Sequence, residues 1–435
     1  MNIFKIYPRG VWALSSIEMW ERFSFYTMQS ILVLYAAAKV SHGGLGWTDA
    51  EAMRLTGFYG AAVYVSPVFG GYIADRIIGR KNSILFGSII MMFGHLTLAF
   101  PGIIQLYLGL ALLIVGCGLM KPAISAIVGE FYDNKEEGHA IDKESGFAIF
   151  YMAINIGGFI GPMISGVVME KSFSLAFGTA ALGLVVAIAN YFMCKNKSLK
   201  GYGETPTKFS EEKVGKWSSN DYKKFWTYFT LCVSNIFWNI IYALPYGLLT
   251  LYADHNIGRH LGHWEIPATW FYGAYSVIII IAAPLVAEFY QLVGRAFKSD
   301  FTLSYKLATG YVLLAIACFC LLPLVSKIAT NPNYVGNAEY LILFYLFFAI
   351  SELITVPVLL SAATTFAPKG LSSTFISMNM MISWAIGAWL GGEFGALTQS
   401  LNPCTMFEWV IAFCVVFMIL HILSNRFIEK IMKLS

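Results

Sequence analysis

Five ionisable residues, Glu18, Glu21, Arg22, Lys121 and Glu352, stand in stretches of the chain that are otherwise nearly free of charge. Glu18, Glu21 and Arg22 are spaced i, i+3, i+4, so on a helix they share one face. There the arginine can neutralise one carboxylate and leave the other near the balance between its charged and protonated forms. That arrangement suits uptake and release of a proton. Lys121, followed by Pro122, and Glu352 each lie alone in an apolar run. A cation near a carboxylate pair, with a lone acid elsewhere, would suit a ligand that carries both charges. The alternative is a static buried network holding the first and fourth helices together, weakened by the finding that apolar replacements are often as stable.

The elements that must position these residues follow from composition. The chain has 435 residues, is 57% hydrophobic and 12% charged, and has a mean hydropathy of +0.65. Soluble domains are about one-quarter charged. Disordered, collagenous and disulfide-scaffold classes are excluded, and a net charge of +4 is too small to suggest nucleic acid. Charge-free runs at 55–74, 145–169, 172–194, 225–253, 266–287, 307–326 and 370–392 are each long enough to cross ~30 Å of hydrocarbon as a helix. The run 82–120 is cut by Pro101-Gly102 into two spans meeting at a tight turn. Three further spans, at about 11–38, 338–366 and 405–428, each contain a charge and bring the total to twelve. No barrel-type alternation is present, so an all-α polytopic membrane protein is expected.

With both termini placed in the cytoplasm, only Lys39, Arg54, Lys171, Arg259 and Lys327 among the loop lysines and arginines fall on the outer side. This is a clear positive-inside bias. Residues 195–224, with Gly201, Gly203, Pro206 and many lysines, read as a cytoplasmic linker between six-helix bundles at 1–194 and 225–435. Two such bundles match the transporter architecture in which halves rock around a midplane site. Span count alone also admits a membrane enzyme. No nucleophile with its base and no His-Glu-x-x-His appears, however, so an enzyme is not expected. A non-transporting receptor would carry an appended signalling domain, and the short termini argue against one.

Other charges carry less. Glu288, Glu393 and Glu408 are expected at solvated helix ends, and His95 as a packed histidine. His255, His260 and His263 cluster in an outer loop without partners at ligand spacing, so no metal and no cofactor are expected. The seven cysteines read as small packing residues. Glu18, Glu21 and Arg22 would interrupt the apolar core of a signal peptide, so none is expected.

Residues 18–26, Glu-Met-Trp-Glu-Arg-Phe-Ser-Phe-Tyr, resemble the Glu-x-x-Glu-Arg-Phe-x-Tyr-Tyr signature of the proton-dependent oligopeptide transporter family within the major facilitator superfamily. Further matches span most of the chain. Gly71-Tyr-Ile-Ala-Asp75-Arg76-Ile-Ile-Gly79-Arg80-Lys81 is similar to the superfamily loop between helices 2 and 3. Residues 147–158 are similar to the family's second signature on helix 5. Gly118-Leu-Met-Lys121-Pro122, Phe237-Trp238, Glu352-Leu353 with Pro357, and Ala367-Pro368 follow in the family's order.

The resemblance implies the major facilitator fold, with twelve transmembrane helices, and symport of di- or tripeptides with protons by alternating access. It implies that Glu18, Glu21, Arg22 and Lys121 couple the proton, with Lys121 exchanging salt-bridge partners. Arg22 and Lys121 would attract the peptide carboxylate, Tyr26 and Asn155 would hydrogen-bond its backbone, and Glu352 would hold its amino group. Tyr64, Trp238, Tyr242, Tyr275 and Trp384 would complete the substrate pocket, while Asp75, Arg76, Arg80 and Lys81 would form an inner gate that binds no substrate. The expected partners are peptide, protons and the lipid bilayer, with no nucleic acid. A monomer in a bacterial inner membrane, with both termini cytoplasmic, is expected.

Several positions depart from the family pattern. Gln29 stands where an Arg is usual, Tyr242 near the usual helix 7 acid, and Ala243 where Gln follows it. Their joint change removes a whole ion pair and leaves no orphan charge. Phe25 replaces the first signature tyrosine, and Tyr275 stands at a position that is usually Asn. The C-terminal half of the pocket is thus expected to be more aromatic and less polar, which leaves open a different small amphipathic solute. Residues 195–224 are also too short and polar for the two extra helices that many bacterial members carry between bundles.

Overall fold

In lipid, backbone polar groups must be satisfied within the segment, and apolar runs of this length therefore fold as helices. The computed structural model describes residues 7–133, 143–204, 217–297, 302–368 and 371–433. Its helices are α1 Arg9–Ala37, α2 Asp49–Ile73, α3 Arg80–Leu98, α4 Ile103–Asp133, α5 Lys143–Met169, α6 Phe173–Cys194, α7 Ser219–Tyr242, α8 Leu248–His255, α9 Thr269–Phe297, α10 Leu303–Thr330, α11 Glu339–Phe366, α12 Ser372–Asn379, α13 Ile386–Leu397 and α14 Pro403–Met432. With α7–α8 and α12–α13 each forming one interrupted span, these make twelve spans. Among the described residues, 8 helices are long and apolar enough to cross a membrane on length and composition alone.

Local chemistry sets the ends. Thr48 and Glu51 form a reciprocal capping box at the start of α2, as do Ser218 and Asp221 at the start of α7. Asn402 Oδ1 accepts from the amides of Cys404 at 2.9 Å and Thr405 at 3.3 Å, and Pro403 opens α14. The tight turn expected at Pro101-Gly102 separates α3 from α4, with Gly102 at φ 140.

Two features are not smooth helix. The seventh span breaks after Tyr242 into a 3-10 turn, Leu244–Tyr246, containing Pro245. The eleventh contains a π-helical turn, Met380–Ala385. A two-stranded hairpin, His260–Leu261 with Trp264–Glu265, lies in the loop after α8. It is the small departure from an all-helical chain.

The chain forms two compact units. The first comprises Met1–Ala52, Ala62–Phe209 and Tyr272–Ser276, and the second Met53–Ala61, Ser210–Phe271 and Val277–Ser435. In the first, α3 packs on α4 and α1 packs on α5 and α6. The α1–α5 approach is backbone-close: a Cβ at Gly157 would stand 2.8 Å from Phe23 N, and one at Gly161 2.7 Å from Phe23 O. The Gly157-x-x-x-Gly161 spacing thereby presses α5 onto the stretch of α1 that carries Arg22. In the second unit α10 packs on α11 and α14, and α13 packs on α7. The start of the expected linker is ordered against the first unit. Leu199 is fully buried, and the Phe131 and Tyr202 rings lie 4.3 Å apart. Residues 205–216 of that linker lie outside the described residues.

Candidate functional site

In the first unit, α1 turns Glu18, Glu21 and Arg22 into the protein, where they are 2%, 2% and 3% exposed. Arg22 grips Glu21 with two hydrogen bonds: Nη2 donates to Oε1 at 2.6 Å, and Nε donates to Oε2. Glu18 Oε1 lies 3.4 Å from the same Nε, one helical turn away. The guanidinium carbon is 4.6 Å from the Phe25 ring centroid and 6.0 Å from that of Tyr26. Both lie within the ~6 Å reach of a cation–π contact. Phe25 therefore supports the arginine through its ring face. Arg22 is shared between two acids, and the geometry gives Glu21 the stronger hold.

Lys121 on α4 forms no ion pair within 4.0 Å among the described residues, and its Nζ stands 5.6 Å from the Tyr64 ring centroid on α2. Tyr64 thus faces the cation. Cys117, one turn before Lys121, is fully buried beside Arg22. The sequence pattern gave it only a packing role, and its i−4 spacing from Lys121 was the available signal. Asn155 on α5 is 7% exposed and donates Nδ2 to Tyr151 O at 3.0 Å. Tyr26 packs edge-on against Tyr272 of α9, with centroids 6.0 Å apart. Tyr275, expected in the C-terminal half, lies within Tyr272–Ser276, the stretch grouped with the first unit.

In the second unit, Glu352 on α11 is 8% exposed, and its Oε2 is buried without a hydrogen-bond partner among the described residues. One turn earlier on the same face, Phe348 joins an aromatic cluster. Its ring stacks on Trp238 at 5.5 Å, Trp238 stacks on Tyr242 at 5.7 Å, and Tyr242 meets Trp384 edge-on at 4.9 Å. Trp238 is fully buried and donates Nε1 to Ser351 Oγ at 2.9 Å, while Ser351 Oγ donates to Gly310 O at 2.8 Å. This relay fixes α7 against α10 and α11, making Trp238 the floor of the cluster. Trp384 projects from the π-turn, a distortion often found at functional sites. Phe348 is absent from the residues expected on sequence, although its i−4 relation to Glu352 could have found it.

The expected inner gate has more members than the motif supplies. Asp75 ends α2 in a π-turn, Ala74–Ile78, and accepts from Arg80 Nε at 2.6 Å, while Arg80 Nη1 also donates to Glu130 at the end of α4. Lys81 Nζ bonds Glu204 Oε1 at 2.9 Å and Leu199 O at 3.0 Å. The Lys81 hydrogen bond, with that of the Gly201 amide, holds the Glu204 carboxyl below the usual carboxylate range. Arg76 neighbours Asp75 in the same turn. All of these residues lie in the first unit.

In the second unit, Arg54 Nε and Glu393 Oε2 are 3.0 Å apart. Beneath them α2 and α13 touch at their glycines, a Cβ on Gly57 falling 2.7 Å from Gly392 Cα. Glu393 is therefore an ion-pair partner, where only a solvated helix end was expected. Of the three histidines clustered after α8's start, His255 Nε2 lies 3.5 Å from Asp254. Among the described residues no three His, Cys, Asp or Glu side chains are grouped to hold a metal.

A sequence model described as Major Facilitator Superfamily matches residues 21–392. An uncharacterised transporter of Bacillus subtilis, YclF, is 29% identical over 91% of this chain and 90% of its own length. A di-/tripeptide transporter of Lactococcus lactis subsp. lactis is 38% identical over 48% of this chain and 42% of its own length. A crystal structure of a variant of the peptide transporter POT in complex with alafosfalin superposes with a TM-score of 0.89 at 26% identity, covering 100% of this chain and 97% of that one. The chain belongs to the Major Facilitator Superfamily, and the solved structure that it resembles along its whole length is that of a peptide transporter.

Proposed function

We propose that the protein is a proton-coupled symporter of di- and tripeptides that works by alternating access, with 1–194 and 225–435 as the moving halves and 195–224 connecting them. One observation carries the reading: Arg22 is shared by Glu18 and Glu21 while Lys121, on the same unit, has no carboxylate partner among the described residues. A proton on either acid frees part of the guanidinium, and Lys121 is available to take the remaining carboxylate. Arg22 and Lys121 then attract the peptide carboxylate, and Tyr26 and Asn155 bond its backbone. Glu352 of the second unit receives the amino group, its unpartnered oxygen supplying the acceptor. Tyr64, Tyr242, Tyr275 and Trp384, resting on Trp238, enclose the side chains. Asp75, Arg76, Arg80 and Lys81 gate the inner side.

Each proton crossing ~100 mV releases ~2.3 kcal/mol, enough for about fiftyfold accumulation of solute. The protein need only let proton and peptide favour the same conformational step. In this reading it works as a monomer in a bacterial inner membrane with both termini in the cytoplasm. The relatives' bacterial origin supports the membrane, and the positive-inside pattern supports the orientation. The test is uptake of labelled dialanine into proteoliposomes under an inward proton gradient, with unlabelled peptides as competitors. Saturable uptake, competed by di- and tripeptides and abolished by a protonophore, is expected. No uptake, or uptake competed only by non-peptide solutes, overturns the reading.

A further inference from the structure

A trough of about 740 Å³ runs between α7 and α14 in the second unit, and none of the residues assigned above lines it. Its volume is within the ~300–1,000 Å³ of small-molecule sites. Trp226, Phe417, Leu420 and Phe427 line it, with Lys223 at one end. Trp226 is 59% exposed and Phe427 60%. These rings occupy the outer faces of two membrane-spanning helices, where the solvent is hydrocarbon.

Four hydroxyls in the trough have no proton left to donate to a ligand. Thr227 Oγ1 donates to Lys223 O at 2.8 Å, Thr230 Oγ1 to Trp226 O at 2.9 Å, Ser234 Oγ to Leu231 O at 2.8 Å and Ser424 Oγ to His421 O at 3.2 Å. Each spends its proton on its own helix, leaving methyl, methylene and ring surface along the groove. The end of the trough is different. Lys223 is exposed and has no ion pair among the described residues. Arg426 and Lys430, also exposed, stand at the same end of α14. The positive-inside pattern puts this end at the cytoplasmic leaflet, which carries anionic lipid and attracts juxtamembrane lysine and arginine by ~1 kcal/mol each.

We propose that the α7–α14 trough is a binding site for one anionic phospholipid of the cytoplasmic leaflet, with an acyl chain between Trp226 and Phe427 and the phosphate on Lys223. The charge at the mouth selects the headgroup, and the apolar length holds the chain. The site is independent of the substrate assigned above, since it depends only on the protein's standing in a bilayer.

The test is native mass spectrometry of the detergent-solubilised full chain, titrated with palmitoyl-oleoyl phosphatidylglycerol or with the phosphatidylcholine of identical chains. One phosphatidylglycerol should bind about fivefold more tightly than phosphatidylcholine, the worth of ~1 kcal/mol at Lys223. Lys223→Gln should erase that preference without weakening phosphatidylcholine, whereas Thr230→Trp, which fills the trough, should weaken both. Equal affinity for the two lipids in the unaltered protein, or a preference that survives Lys223→Gln, overturns the proposal. Should Thr230→Trp fail to fold, fluorescence replaces it. Phosphatidylglycerol brominated on its acyl chain should quench the unaltered protein more than Trp226→Phe, and equal quenching of the two overturns the assignment of the trough.

Discussion

Glu21 in the first unit and Glu352 in the second are buried to a similar degree, at 2% and 8% exposure, yet their surroundings differ completely. Glu21 is held through both oxygens by Arg22, which also reaches Glu18. Glu352 has a buried oxygen with no partner among the described residues and stands one turn from stacked aromatic rings. A charge with a resident counter-ion can be switched by moving a proton. A buried carboxyl without one gains most from a cation that arrives with the ligand. Tyr242 sharpens this asymmetry by adding a ring to the cluster beside Glu352.

The sharpest way to break the comparison is Glu21→Gln. A glutamine amide cannot take up and release the proton, so gradient-driven uptake should be abolished. Counterflow exchange, which needs no net proton movement, should stay largely intact. Equal loss of both activities would make the triad a structural clamp. Glu352→Gln comes next. A hydrogen bond to a charged group is worth ~1.5–3 kcal/mol, so affinity for peptides with a free amino group should drop by at least about tenfold. N-acetylated peptides should be unaffected in the same competition assay, and an equal drop would remove the amino-group role.

Gly392→Ala asks whether the α2–α13 approach matters as much as charge. Its methyl would stand 2.8 Å from Gly57 Cα. Overpacking of this kind costs ~1–3 kcal/mol, visible as a lowered melting temperature and slower uptake. Smaller still is Arg54→Gln, since exposed ion pairs contribute ~0.2–1 kcal/mol. Its signature is loss of whatever salt dependence uptake shows in the unaltered protein. The smallest effect is at Lys81–Glu204. The folded-state carboxyl titrates below its unfolded value of 4.5, so this contact contributes above that pH and is lost as pH falls through the lower, folded value. Protease protection of the Leu199–Glu204 segment should be flat from pH 7 to pH 5 and weaken only under stronger acid. Glu204→Gln should show the weakened protection at every pH.

The sequence made the short-range chemistry legible. The i, i+3, i+4 spacing of Glu18, Glu21 and Arg22 predicts a shared face, and the structure forms that triad within one helix. Charge-free runs located the spans, because hydrocarbon thickness sets a minimum helix length, although α4 and α9 run on past theirs to Asp133 and Phe297. Partners distant along the chain were not legible. Arg80 meets Glu130 50 residues on, and Lys81 meets Glu204 123 residues on. No local periodicity announces such pairs. The breaks inside spans were missed for another reason. The run 225–253 is charge-free throughout, so counting charges reads it as one helix, although Pro245 and Gly247 mark the interruption. The π-turn at Met380–Ala385 has no such punctuation. The buried floor role of Trp238 depends on Ser351 and Phe348, which only folding brings to it.

The interruption at Ala243–Gly247 gives the seventh span an elbow. Its second arm, α8, is tethered beyond its end: Asn256 Nδ2 donates to Pro332 O at 2.9 Å and Tyr334 O at 3.0 Å, in the loop joining α10 to α11. Its first arm, α7, packs on α13. At the joint, Thr250 Oγ1 already serves Pro245 O at 2.7 Å, and the Gly247 amide serves Leu244 O at 3.1 Å. Flexing there need not tear a regular helical ladder. One arm can swing while the other stays moored, so the span articulates like a crank where an unbroken rod would have to tilt whole.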